Sequence, residues 1–241
     1  MRKFTYDPAG GPLRVLGVCS GPGQAVWAAL DLHKKLKEES GGCPFEVAGL
    51  FSDRPASAAL EAAARRSLST YLLDSAAYHQ GQPGQQMSPG DIMAFEKAMI
   101  DLLADARIDC LLVDGYQWTI GSTLLDKFAA VRIWPAGPLC LKRFLETGEK
   151  TLRARVTWLT APGGLGPTII TAPPVEIDYG EFTDEKSGVG LYLARVMEQS
   201  GRAGARAIQE LGQGNFNMDG GNGLSYKGSP APDGLMLDSW E

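Results

Sequence analysis

The sequence predicts an α/β domain built on a mixed, mostly parallel sheet, with helices on both faces and an antiparallel hairpin late in the chain. Three observations predict it. Short apolar runs alternate with helix-patterned segments through the first half, the pattern of a parallel sheet covered on both sides. The run Cys110-Leu-Leu-Val113 is apolar at every position, as a strand buried on both faces requires. Residues 155–160 and 168–175 are strand-like segments joined by a turn rich in glycine and proline.

The elements follow in order. Residues 13–19 form an apolar run that ends in Ser20-Gly-Pro-Gly-Gln24, a strand followed by a glycine turn. Residues 25–38 carry Val26, Trp27, Leu30 and Leu36 at helical spacing, with a basic exit. Residues 46–52 read as a second strand, the alanine-rich 56–66 as a second helix, and 69–73 as a third strand. The polar stretch 78–87 has Gly and Pro without periodicity and is expected to be a mobile loop. Ser88-Pro-Gly-Asp91 then opens a helix, with Ser as N-cap, Pro in the first turn and an apolar stripe of Ile92, Phe95, Met99, Leu102 and Leu103. A strand over 130–134 ends at Pro135. A long helix is expected over 191–211, its pattern interrupted by Gly201 and Gly204, and a small strand pair over 215–227. There are no repeats and no domain boundary. The expectation is one domain over 1–241, with a flexible start over 1–12 and a strand pair and tail over 212–241.

Composition narrows the function. The 241 residues are 44% hydrophobic and 21% charged, enough to bury a core without metal or disulfide staples. Twenty-three Lys and Arg against 28 Asp and Glu give −5, which argues against nucleic acid and anionic membrane as partners. The two histidines, His33 and His79, exclude histidine-rich metal sites, and neither has an evident partner. Cys19, Cys43, Cys110 and Cys140 lie too far apart for a CxxC motif and read as reduced thiols. No apolar run approaches a membrane span and no signal-peptide core opens the chain, so a soluble, cytoplasmic protein is expected. Its oligomeric state is left open.

The turn Ser20, Gly21, Gly23, Gln24 and Ala25 joins a buried strand to a helix start, where free amides and the helix dipole suit a phosphate. Neither GxGxxG nor GxxxxGK[ST] is present, so a dinucleotide or nucleoside triphosphate fingerprint is absent. A tight turn without ligand is the alternative.

The order of motifs resembles the phosphoribosylglycinamide formyltransferase family, whose members use 10-formyltetrahydrofolate. VLGVCSGPGQAVWAAL resembles that family's strand, SGxGSN turn and helix. VAGLFSDRPASAALEAA, CLLVDGYQWTI and RIWPAGPL fall where the family has its second strand and helix, its "LAGF" strand and its "NIHPSLLP" segment. VTWLTAPGGLGPTII and LARVMEQSGRAGARAI follow the family's hairpin and long helix. The resemblance spans nearly the whole chain, strong in order and weak in identity, and implies a formyltransferase-like, Rossmann-type fold.

The family's chemistry rests on an Asn, a His and an Asp. By the same resemblance those places hold Arg132, Trp134 and Gly164, a second histidine becomes Leu152, and a substrate-binding Glu becomes Ser200. Arg132 can stabilise an oxyanion but not accept a proton near neutral pH, and Trp134 offers a donor and a stacking face but no relay. The expectation is therefore a divergent member without formyl transfer. It would bind a small phosphorylated or folate-like ligand, a reduced folate being the cofactor implied, or a protein partner. A second reading is an active transferase with a site rebuilt around Arg132 and Trp134, and a third is a structural subunit.

The resemblance places the folate cleft at Gln117, Trp118, Thr119 and Ile120, at Arg132 and Trp134, and at Gly163 and Gly164 in the hairpin turn. Trp118 and Trp134 either line a flat stacking site there or fill it as new core. Lys142, Arg143, Lys150, Arg153 and Arg155 form a basic stretch that reads as a solvated face or as a seat for an acidic tail. Asp114, ending a buried strand, reads as a turn cap rather than an acid catalyst.

Overall fold

The computed structural model describes residues 4–79, 87–134, 147, 151–163, 166–176, 185–219 and 223–240, with the backbone alone at 185–191 and 219. The strands are β1 (Phe4–Thr5), β2 (Leu13–Val18), β3 (Phe45–Ser52), β4 (Thr70–Leu72), β5 (Cys110–Val113), β6 (Ala129–Trp134), β7 (Thr151–Leu152), β8 (Arg155–Trp158), β9 (Thr168–Thr171), β10 (Val175–Glu176), β11 (Phe216–Asp219), β12 (Gly223–Tyr226), β13 (Ser229–Pro230) and β14 (Leu235–Met236). The helices are α1 (Gln24–Ser40), α2 (Ala58–Arg65), α3 (Pro89–Leu102), α4 (Ser122–Lys127) and α5 (Glu185–Gly212).

Eight strands form the main sheet in the order β14-β9-β8-β6-β5-β2-β3-β4, in which β8 alone runs against the others. The reversal at β8 is the expected hairpin. Its second strand is shorter than expected, because Pro173 and Pro174 have no amide to extend the ladder. Beyond them Val175–Glu176 pairs instead with Thr151–Leu152 in a separate ribbon. The first residues, expected to be flexible, include β1, which pairs with β11 and joins β12 and β13 in a small antiparallel sheet.

The central strands are apolar on both sides because both are covered. One face buries Val15, Phe45, Cys110, Val131 and Ile133 under α1, α2 and α5; the other buries Leu16, Phe51, Leu111 and Val113 under α3 and α4. The start of α3 carries the capping box expected from Ser88 and Asp91. The helix expected over 191–211 is longer, running from Glu185 through both glycines without a break. Gly204 packs where α5 meets α1 and the sheet: a Cβ there would sit 2.9 Å from Ala25 Cβ and 2.8 Å from Ile133 Cδ1. The interruption in the pattern is thus a close helix approach rather than a helix end. No described helix is long and apolar enough to cross a membrane.

Candidate functional site

At the carboxyl edge of β2 the chain makes the Ser20–Ala25 turn and enters α1. Gly23 is the N-cap, in the left-handed region at φ 68°, and its carbonyl accepts from the amides of Val26 and Trp27 at 3.0 and 3.3 Å. Glycine suits this position because other residues are strained there. Two of the turn's donors have partners inside the protein. The Ala25 amide donates to Asp114 Oδ2 at 2.9 Å, so Asp114 caps α1. The Ser20 hydroxyl donates to Asp53 Oδ1 at 2.6 Å and accepts the Gln117 amide at 3.2 Å. Gly21 is half-buried, while Gln24 points outward into an open groove of about 530 Å³ between α1 and α5, lined also by Trp27, Asp31, Met197 and Arg202.

Asp53 ties this edge together. It is 1% exposed, and besides Ser20 it accepts the Ser75 hydroxyl at 3.3 Å and the Trp118 indole N–H at 2.8 Å. One buried carboxylate thereby joins the ends of β2 and β3, the turn after β4 and the loop after β5. Sequence reasoning passed over it, although an Asp closing a buried strand was the available signal. Burial, then the carboxylates of Asp114 and Asp53, push the Cys19 thiol beneath the turn up to about 12, so it stays protonated.

The loop after β5 is held from below by Glu96 of α3, 2% exposed, which accepts the Gly121 amide and, at 3.3 Å, that of Leu124. Burial pushes its carboxyl up, while these amides and Thr123 oppose the shift. Gln117 is exposed and accepts a hydrogen bond from Arg54. Ile120 is buried, and its carbonyl accepts the Gly163 amide at 3.4 Å; Thr119 lies beside the same glycine. The loop and the hairpin turn therefore meet, as expected. Gly164, Lys142, Arg143, Lys150 and Cys140 lie outside the described residues. Arg155 is exposed, whereas Arg153 donates to the carbonyls of Ala172 and Leu237.

Arg132 stands on β6 between Val113 of β5 and Thr157 of β8. Its Nη2 donates to the Trp118 carbonyl at 2.9 Å, and its guanidinium lies 5.4 Å from the centre of the Trp134 ring. The Trp134 indole N–H donates to Thr157 Oγ1 at 3.2 Å. Both tryptophans are half-buried, with ring N–H groups satisfied, and Trp118 packs against the core beneath α3 and α4. Burial lowers the Arg132 guanidinium from its ordinary value, and neighbouring Tyr116 opposes this. Among the described residues no carboxylate forms an ion pair with Arg132. His79 is a correction to expectation: it packs against Trp118 with ring centres 5.4 Å apart. His79, Trp118, Arg132 and Trp134 are thus linked along the edge, Arg132 through the Trp118 carbonyl and the Trp134 ring. His33 lies away from this edge, against Phe45. Among the described residues no group of three His, Cys, Asp or Glu could hold a metal.

Comparison with solved structures identifies the fold. A phosphoribosylglycinamide formyltransferase from Coxiella burnetii superposes with a TM-score of 0.72 over 94% of this chain and 99% of its own, at 17% identity. The chain has the phosphoribosylglycinamide formyltransferase fold. A glycinamide ribonucleotide transformylase from Symbiobacterium toebii matches at 25% identity, with a TM-score of 0.70 over 90% of this chain and 95% of its own. A formyltetrahydrofolate deformylase from Pseudomonas syringae matches at 15% identity and a TM-score of 0.66, over 92% of this chain and 67% of its own. No family profile and no curated protein matches the sequence. Within the formyltransferase fold, Arg132 and Trp134 occupy the carboxyl end of a central strand, where α/β sheets place ligands.

Proposed function

We propose that this chain is a formyltransferase-fold protein that does not transfer formyl groups and instead binds a small acidic ligand, of the reduced-folate class, at Arg132, Trp118 and Trp134. The observation that carries the reading is Arg132: a partly desolvated guanidinium, fixed by the Trp118 carbonyl, stacked on Trp134 and without a carboxylate partner among the described residues. A desolvated cation is costly unless a counter-charge arrives, and guanidinium matches a carboxylate with a planar fork of donors. The flanking indoles offer flat faces to a fused heterocycle. Formyl transfer needs a proton relay, and neither Arg132 nor Trp134 supplies one near neutral pH.

His79 beside Trp118 favours one second reading, an enzyme with a rebuilt site, because imidazole is the side chain suited to moving protons near neutral pH. Two assays on the purified chain separate the readings. Calorimetric titration with 5-formyltetrahydrofolate should show saturable binding. Incubation with 10-formyltetrahydrofolate, with and without glycinamide ribonucleotide, should release no formate and form no formylated product. Turnover that His79→Gln removes would establish the rebuilt enzyme instead.

A further inference from the structure

The charges at the carboxyl edge are sorted by face. Val113 is paired with Arg132 across β5 and β6, so these two side chains share the face covered by α3 and α4. The ladder runs one residue further, with the Asp114 amide donating to the Val18 carbonyl at 2.9 Å. Alternation therefore sends the Asp114 side chain to the other face, where its carboxylate meets the Ala25 amide at the start of the 17-residue helix α1. No Lys or Arg forms an ion pair with Asp114 among the described residues. On the other side of Ser20 stands the buried carboxylate of Asp53. The turn is thus flanked by two carboxylates, and the positive end of the helix dipole is already answered by one of them.

We infer that Asp114 is a specificity-determining residue that bars phosphate from the Ser20–Ala25 turn, so that a ligand's anionic group docks at Arg132 and the part lying over the turn is neutral or cationic. A phosphate approaching the α1 amides would meet a fixed like charge and compete with it for the Ala25 N–H. The exclusion at the turn stands on Asp114 alone; the direction toward Arg132 rests on the function proposed above.

The test uses inorganic phosphate on the full chain, followed by calorimetry and by the amide resonances of Gly23, Gln24 and Ala25. Asp114→Asn keeps an oxygen for the Ala25 amide while removing the charge. It should bind phosphate about tenfold more tightly than wild type or more, with those amides shifting, as removal of a contacting like charge predicts. Asp114→Ala should give the same gain, which keeps the test available if one variant fails to fold. Wild type that shifts the turn amides with equal affinity would overturn the exclusion. Binding of 5-formyltetrahydrofolate provides the separate control. If Arg132→Gln leaves it unchanged while Asp114→Asn still gains phosphate, the Arg132 reading fails and the exclusion survives.

Discussion

Single residues at the sheet edge carry opposite stability costs. Arg132 donates one hydrogen bond and has no ion-pair partner among the described residues, so Arg132→Met should leave the Tm unchanged or raise it while abolishing acidic-ligand binding. A thermal scan beside a titration checks both halves. Asp53 is the reverse case. Asp53→Ala would strand the Trp118 indole N–H and two serine hydroxyls, at a cost of about 2–4 kcal/mol, read as a lower denaturation midpoint at unchanged slope. Asp114 adds a pH signature. Burial raises its folded-state carboxyl above the unfolded value, so the folded state binds more protons between the two values and its stability falls as pH rises through that window. Asp114→Asn mimics the protonated form. It should therefore exceed wild type in stability near pH 7, with the gap closing as pH falls toward about 4, the ordinary carboxylate value. Denaturant titrations across pH test this. At this scale the sequence showed that Asp114, at a strand end, reads as a cap, but not that it caps α1 through Ala25, 89 residues away. Asp53 was not legible, because its partners lie 33, 22 and 65 residues away. The packing of His79 on Trp118 was hidden in the same way.

Elements were legible in proportion to their length and chemistry. α3 was recognisable from its Ser-Pro-Gly-Asp start, and β5 from its unbroken apolar run. α4 spans six residues, too few for a helical period to emerge, and it is held by Glu96 from a distant helix rather than by its own pattern. Glu96→Ala should accordingly cost about 2–3 kcal/mol, the penalty for buried amides left unpaired, and should loosen the loop bearing Trp118. Hydrogen exchange at Gly121 and Leu124 reads that loosening. In α5, the glycines looked like breaks because sequence shows the missing side chain but not the helix pressed against it. Gly204→Val would place branched carbons against Ala25 and Ile133, and should destabilise by about 1–3 kcal/mol as overpacking does; denaturation measures it.

For the whole molecule, the mostly parallel sheet and its layers were readable because alternating apolar runs and helices leave few ways to cover such a sheet, whereas the strand order was not read. What remained out of reach was charge placement around the edge, which depends on pairing register: one residue along the ladder sends Arg132 and Asp114 to opposite faces. At the carboxyl edge of the sheet this sequence sets a guanidinium over the Trp134 ring, bonded to the Trp118 carbonyl, and leaves the turn flanked by carboxylates. The most direct test is calorimetric titration of wild type and Arg132→Gln, side by side, with 5-formyltetrahydrofolate. Saturable binding to wild type, weakened tenfold or more by the substitution, is the predicted result; equal affinity in both proteins would contradict the account.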